Sequence, residues 1–388
     1  MTEPTAATSA ATAPVGYARR LGAWDASMVV VGGVIGSGIF LTPAAVARQT
    51  GSGTELLIAW AVGGLLALIG ALCYAELGAR RPAAGGGYVN LREAFGLVIA
   101  FVYGWNMLVV NYSGSLAAVA TVFVQYAAAA LGTEVRDARP WAVGAIVFLA
   151  GINWFGIRAG SLAQNILTVL KLAAVAALIA TGLAAGGAPP APQPEPALNP
   201  LALGGVLLPV LFSYGGWAYA NNIAGEIRDP GRNLPRALFL GMLLVAACYL
   251  LVNLACLAVL GHAGLAASKA PAADLMRQVL GEPGARLIAA GIAISTFGFC
   301  NISLIGAARV FQAMGADGVF FRVAGRLHPR WRTPNIALAM LAGWAAVLWV
   351  VGVTVWQHPM DAGMGALITL AGLPVYALWR RLPPRASR

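Results

Sequence analysis

Two short stretches hold residues able to recognise a small polar ligand at membrane depth. Val34-Ile35-Gly36-Ser37-Gly38-Ile39-Phe40 lies in the middle of one apolar run. Phe212-Ser213-Tyr214-Gly215-Gly216-Trp217, just after Pro209, lies in the middle of another. Glycines beside a serine weaken a helix where neither water nor lipid replaces its hydrogen bonds. An interrupted helix presents free N–H groups on one half, which suit a carboxylate, and free C=O groups on the other, which suit an ammonium. Together they complement a zwitterionic head group. One glycine pair alone is also how helices pack closely in a bilayer. Two clusters at corresponding places, five apolar runs apart, point instead to a binding site at the interface of an inverted repeat.

A third candidate is Lys171. It lies about ten residues inside a further apolar run, which at 1.5 Å per residue is about 15 Å deep. A charged side chain there costs on the order of 2.5–3.5 kcal/mol and is read as functional by default. A stem in mid-run is poorly placed to snorkel to the head groups. Other polar residues have simpler readings. Glu76 and Arg80, four apart, suit a structural ion pair. Asn106, Asn111 and Ser113 suit hydrogen bonds between helices. Glu226 and Asp229, with Arg228, Arg232 and Arg236, form a charged loop that serves topology or an inner gate. Gly85-Gly86-Gly87 follows no strand, so it is not read as a nucleotide loop. No Ser/His/Asp or paired-carboxylate arrangement shares a pocket, and no enzyme activity is expected. His262, His328 and His358 are scattered, so no metal or cofactor is expected either.

The elements that position these residues follow from composition. Of 388 residues, 59% are hydrophobic and 10% charged. A soluble protein carries about 25% charged residues, so a soluble enzyme, a disordered chain and a disulfide scaffold are excluded. Apolar windows recur at roughly 25–47, 55–79, 96–130, 141–157, 161–184, 203–226, 236–260, 285–312, 334–353 and 362–380. Runs of about 18 residues or more cross a bilayer as helices. The expected fold is therefore an all-α polytopic membrane protein of about ten spans. Cys73, Cys248, Cys256 and Cys300 all lie in apolar runs, so no disulfide framework is expected.

Residues 1–18 read as a disordered tail, 19–184 as a first repeat, 185–202 as a Pro-rich extracellular loop, 203–380 as a shortened second repeat and 381–388 as a second tail. Most of the 25 basic residues fall in loops on one side if the N-terminus is cytosolic. The positive-inside rule then places both termini in the cytoplasm of a bacterial inner membrane. That bias accounts for the net charge of +11 without a nucleic-acid partner.

Three stretches resemble the APC superfamily of amino acid permeases, and within it the LAT-like (L-amino-acid transporter) branch. They are Gly36-Ser37-Gly38-Ile39-Phe40-Leu41-Thr42-Pro43, then Tyr74-Ala75-Glu76-Leu77-Gly78 with Pro82 and Gly85 to Tyr88, and then the segment from Phe212 to Pro235. The resemblance runs from about Trp24 to Leu338 and recurs at Gly372 to Tyr376. It implies a LeuT-type fold, a 5+5 inverted repeat with helices one and six broken. It also implies that the Gly36-Ser37-Gly38 segment holds the substrate carboxylate, through Ser37 and Gly38, with Ile35 among the substrate-binding residues. Ser213 and Gly215 would hold the amine, Phe212 would gate the pocket and Trp217 would border it. Lys171 would stand in the region where sodium-coupled relatives of the fold bind a cation, bracing span one against span eight.

Two departures stand out. Ala218 replaces an asparagine common in relatives. The chain also passes from span nine almost directly into a segment resembling the family's twelfth, so spans ten and eleven are read as missing. Animal members pair with a glycoprotein through a cysteine after span three. Residues 131–140 contain none, so no disulfide-linked heavy chain is expected.

The expected function is transport of neutral L-amino acids across the membrane, by exchange or proton-coupled uptake. The expected partners are the amino acid and the bilayer. Neither broken segment contains an acidic residue, and a cationic side chain left unpaired in low dielectric costs several kcal/mol. The alternatives are a membrane receptor that binds amino acids without moving them, and a degenerate permease. A soluble sensory domain would favour the first, and none is expected.

Overall fold

The computed structural model describes residues 16–185, 200–356 and 371–378, and all its regular elements are helical. In chain order they are α1 (Ala23–Val34), α2 (Gly38–Ala47), α3 (Gly53–Arg80), α4 (Gly87–Phe95), α5 (Leu97–Asn106), α6 (Ser113–Leu131), α7 (Arg139–Trp154), α8 (Ile157–Ala185), α9 (Pro200–Ser213), α10 (Tyr219–Asn222), α11 (Pro230–Ala267), α12 (Pro271–Ala316) and α13 (Asn335–Trp356). A last helical segment covers residues 371–378.

Local chemistry sets the ends. Ser52 caps α3 by accepting the Glu55 N–H at 3.2 Å, while the Glu55 carboxylate accepts the Gly51 N–H at 2.7 Å. Proline opens α7, α11 and α12 at positions where a helix has no use for an N–H. α11 and α12 are kinked at Gly261 and Gly281, whose φ values of 66° and 69° suit glycine.

Five described helices are long and apolar enough to cross a bilayer: α3, α5 running through into α6, α8, α11 and α12. α1 and α2, bent by 41° at the Gly36-Ser37 break, make a sixth span. α9 and α13 contain shorter apolar helices. Most of the expected window 362–380 lies outside the described residues, as do most of the expected tails and of the 185–202 loop. α9 begins at Pro200, inside that expected loop.

α12 is the centre of the bundle. Of its apolar window 78% is inside the protein, against 28–39% for the other long helices. It packs on α6, α7, α8 and α13, and on α1. A polar chain threads these contacts. Asn153 Nδ2 donates to Asn301 Oδ1 at 2.8 Å, and Asn301 Nδ2 donates to Gln164 Oε1 at 2.9 Å and to Gly160 O at 3.1 Å. Thr168 Oγ1 donates onward to Met28 O at 3.2 Å. α7, α12, α8 and α1 are joined in this way.

Between α5 and α6, residues Met107–Tyr112 form a π-helical turn. The Ser113 hydroxyl donates back across it to Leu108 O, and Asn111 is exposed. The helix-to-helix bond expected of Ser113 is thus replaced by one within its own span, because the wide turn leaves a carbonyl to satisfy. Residues 371–378 lie against α5. The Tyr376 ring is 5.3 Å from that of Phe101, and Gly372 abuts Trp105.

Asn301→Leu should destabilise the protein by about 1–3 kcal/mol, because it leaves one N–H of Asn153 Nδ2 and the buried Gln164 Oε1 without their partner. A typical interhelical hydrogen bond in a membrane protein is worth only about 0.6 kcal/mol. The unfolding midpoint of the purified protein in detergent distinguishes the two magnitudes.

Candidate functional site

The site forms where the α1/α2 break meets the α9/α10 break. α1 ends at Val34, and Ile35 leaves the helix with φ −74° and ψ 91°. Ser37 and Gly38 open α2, and the first amide bonded back is that of Phe40, to Ser37 O at 3.2 Å. The N–H groups of a helix's first turn have no intrahelical acceptor, so those of Ser37, Gly38 and Ile39 are available to a ligand anion.

The carbonyls released at the end of α1 are met by side chains from three other helices. Lys171, fully buried on α8, donates to Gly32 O at 2.9 Å, Ile35 O at 2.8 Å and Ser295 O at 3.1 Å. All three ammonium hydrogens are thereby used, and no carboxylate is needed. The Ser295 hydroxyl lies 3.0 Å from both Ile35 O and Gly36 O. Tyr249 of α11 reaches both breaks. Its hydroxyl lies 3.0 Å from Val34 O and 3.0 Å from Ser213 O, sharing one proton between them. Trp60 of α3 meets the Tyr249 ring edge-on at 5.5 Å.

The two breaks approach closely at glycines. A Cβ on Gly38 would lie 2.9 Å from Ser213 Oγ and 3.2 Å from Ser213 Cα. Gly216, at φ 108°, backs onto the Gly33 carbonyl. Only glycine permits both approaches. The Ser213 hydroxyl sits between Pro209 O at 3.0 Å and the Thr42 hydroxyl at 2.9 Å.

The residues singled out in sequence are dispersed differently by the fold. Ile35, Gly36, Ser37, Gly38 and Ser213 converge at the junction, with Lys171 directly behind it. Gly36 faces the Phe299 ring, 3.5 Å from where a Cβ would stand. Gly215 is partly exposed in the turn between α9 and α10. Phe212 is 81% exposed. Trp217 turns to α3, edge-on to Tyr74 at 4.9 Å and beside Gly70. Tyr219 lies on the side facing α12. Its hydroxyl is 2.9 Å from Ser303 Oγ, and its ring meets Phe299 and Tyr112. Tyr249, Ser295 and Tyr219 were not legible as site residues. A buried tyrosine or serine in an apolar run carries no spacing signal.

One end of the site is shut. Glu226, from the loop after α10, is buried and paired with Arg309 of α12 at 2.8 Å. The amides of Arg20 and Leu21 donate to Glu226 O, and that of Arg228 to Leu21 O, which lays residues 20–21 along 226–228. Tyr17, inside the expected tail, stacks on the Arg309 guanidinium at 5.9 Å and donates to Gln312. Burial pushes its phenol well above the ordinary range, so it stays a neutral donor. Glu76 and Arg80 form the expected ion pair at the surface. Among the described residues no three His, Cys, Asp or Glu side chains gather as metal ligands do.

This architecture is that of a broken-helix membrane transporter. Residues 21–379 match the family described as Amino acid permease, and the chain belongs to that family, within the APC superfamily. It is 33% identical over 342 residues to the b(0,+)-type amino acid transporter 1 of Mus musculus, covering 86% of this chain and 70% of the relative. It is 31% identical over 339 residues to the serine/threonine exchanger SteT of Bacillus subtilis (strain 168), covering 87% and 77%. It is 29% identical over 459 aligned residues to the large neutral amino acids transporter small subunit 2 of Mus musculus, covering 98% and 85%. That alignment is longer than this chain, so the relative carries residues with no counterpart here. A Na+-coupled sialic acid symporter in a substrate-bound outward-open state shares the fold, with TM-score 0.61 and 14% identity over 93% of this chain and 78% of that one. The chain is thus an amino acid transporter of the LAT-like branch working by alternating access, and these relatives are transporters rather than enzymes.

Lys171→Ala should slow transport far more than it weakens equilibrium binding, because the ammonium supports the site from behind. Uptake into proteoliposomes, set beside substrate binding to the detergent-purified variant, checks this. Equal loss in both would place Lys171 in direct contact with substrate.

Proposed function

We propose that the chain moves neutral L-amino acids across a cytoplasmic membrane by exchange. The observation that carries this reading is the contact of the two breaks at Gly38 and Ser213. It sets the unbonded amides at the start of α2 beside the released backbone of α9. In this reading the Ser37 and Gly38 amides hold the substrate carboxylate, and backbone carbonyls near Ser213 and Gly215 hold its ammonium. Phe212 is read as the gate, and Trp217 as bordering the pocket from the α3 side. A serine/threonine exchanger and a large neutral amino acids transporter among the relatives support both the neutral class and exchange.

Charge supports the same class. Residues 34–40 and 212–218 contain no acid, and Lys171 is fully engaged with carbonyls. Neither a cationic nor an anionic side chain would find a countercharge there, and each 1.4 kcal/mol of unmet cost is tenfold in affinity. We place the closed end, with Arg309 and residues 17–21, in the cytoplasm together with both termini, following the basic bias of the loops. Residues 19–184 and 203–380 are read as the two repeats. α8 packs on α1 and α12, so its partner by inverted symmetry should pack on spans six and three. The helix at 371–378 does lie on span three, which supports its closing the second repeat in place of the family's tenth span. With no cysteine in residues 131–140, the chain is read as working without a disulfide-linked partner.

Radiolabelled serine, alanine and leucine uptake into proteoliposomes, with and without internal amino acid, tests this reading. Uptake should depend on internal neutral amino acid. Excess arginine or glutamate should compete at least tenfold less well than the neutral substrates. A dependence on a proton gradient alone would replace exchange by proton-coupled uptake. Gly38→Leu should abolish binding in protein that still inserts, while Ser37→Ala should weaken it less, since its backbone donor remains.

A further inference from the structure

At the end of α12 shared with Arg309, the chain turns back through a fixed loop. Gly318 takes φ 73°, Arg322–Gly325 form a 3-10 turn, and Gln312 Nε2 donates to Gly325 O at 2.9 Å. A shallow, open cavity of about 470 Å³ lies there, bounded by Asp317, Arg322 and Arg326 and by Gly315, Gly318 and Gly325. Its charges do not cancel. Arg92 Nη1 lies 2.7 Å from both oxygens of Asp317, and the Tyr88 hydroxyl donates to the same carboxylate at 2.8 Å. The acid is therefore already satisfied. Among the described residues no hydrogen bond or ion pair engages the guanidinium of Arg322 or of Arg326.

Apolar side chains lie close along the chain to the charged groups of the cavity. Phe321 and Val323, flanking Arg322, are exposed. Phe95, Leu97, Val98 and Ile99, which follow the Arg92 that is paired with Asp317, are exposed. A free anion has no use for these surfaces, whereas a lipid carries an anion and chains together. Guanidinium forks match phosphate oxygens in pairs, and basic pockets beside membrane helices suit acidic head groups.

We propose that this cavity binds the head group of an anionic phospholipid, its phosphate between Arg322 and Arg326 and its acyl chains against Phe321 and the Phe95–Ile99 surface. The proposal rests on the membrane placement above and is independent of the substrate assignment.

The test uses the full-length protein in a neutral detergent. Energy transfer from its tryptophans to acyl-labelled phosphatidylglycerol, and to acyl-labelled phosphatidylcholine as reference, gives the two affinities. Phosphatidylglycerol should bind more tightly. Arg322→Gln with Arg326→Gln should weaken it about thirty-fold, at roughly tenfold per 1.4 kcal/mol and about 1 kcal/mol per basic residue. Phosphatidylcholine binding and amino acid uptake from pure phosphatidylcholine vesicles should stay unchanged, which shows that the variant is folded. Arg322→Lys with Arg326→Lys keeps both positive charges and should retain most of the preference. Equal binding of both lipids, or a preference that survives the glutamine pair, overturns the proposal. Loss of the preference in the presence of inorganic phosphate would reassign the cavity to a free anion.

Discussion

A helix broken inside hydrocarbon leaves carbonyl groups that water does not reach, and each must find a donor in the protein. That requirement organises the centre of this molecule. Gly32, Val34, Ile35, Gly36 and Ser213 all present carbonyls at the two breaks, and Lys171, Ser295 and Tyr249 supply the donors. These three come from α8, α12 and α11. The helices that must gather round the breaks are thereby specified by hydrogen bonding, in addition to apolar packing. Where no donor was needed, glycine let the two backbones meet directly, as at Gly38 with Ser213 and at Gly216 with Gly33. The amides at the start of α2 are the groups left over, and they are the ones a substrate anion can use.

Much of this was legible in the sequence, for identifiable reasons. Long apolar runs, mid-run glycine clusters and an isolated deep lysine are one-dimensional signals, and they located the breaks and Lys171. The lysine's partners were not legible, because backbone carbonyls have no residue type. Tyr249 and Ser295 were missed for a related reason: polar atoms in apolar runs usually bond to their own helix, as Thr296 does to Ile292 O and Ala293 O. Glu226 was read as part of a charged loop serving either topology and solvation or an inner gate. Its neighbours Arg228, Asp229 and Arg232 suggested exposure, and only the fold brings Arg309, 83 positions later, against it. The direction of Trp217 was also unreadable, since the turn through Gly215 and Gly216 decides which helix the indole meets.

The two ends of the site are held by different physics. At its centre the bonds are to backbone and carry no net pairing of charge, apart from one ammonium among dipoles. At the closed end a full ion pair is buried, and breaking such a pair by removing one partner typically costs about 3–5 kcal/mol. Opening that end as a unit exposes both ions to water together, so the same pair is firm when dry and inexpensive once hydrated. A closure of this type resists partial opening and permits complete opening, which is the behaviour alternating access requires.

The backbone pairing of residues 20–21 with 226–228 has a practical side. It attaches the amino-terminal segment to the turn after α10 that carries Glu226, so this segment is tied to the same closure. A bulky affinity tag or fluorescent fusion placed close ahead of Tyr17 would load that closure. Reporter position is thus a physical variable in any kinetic comparison between versions of this protein.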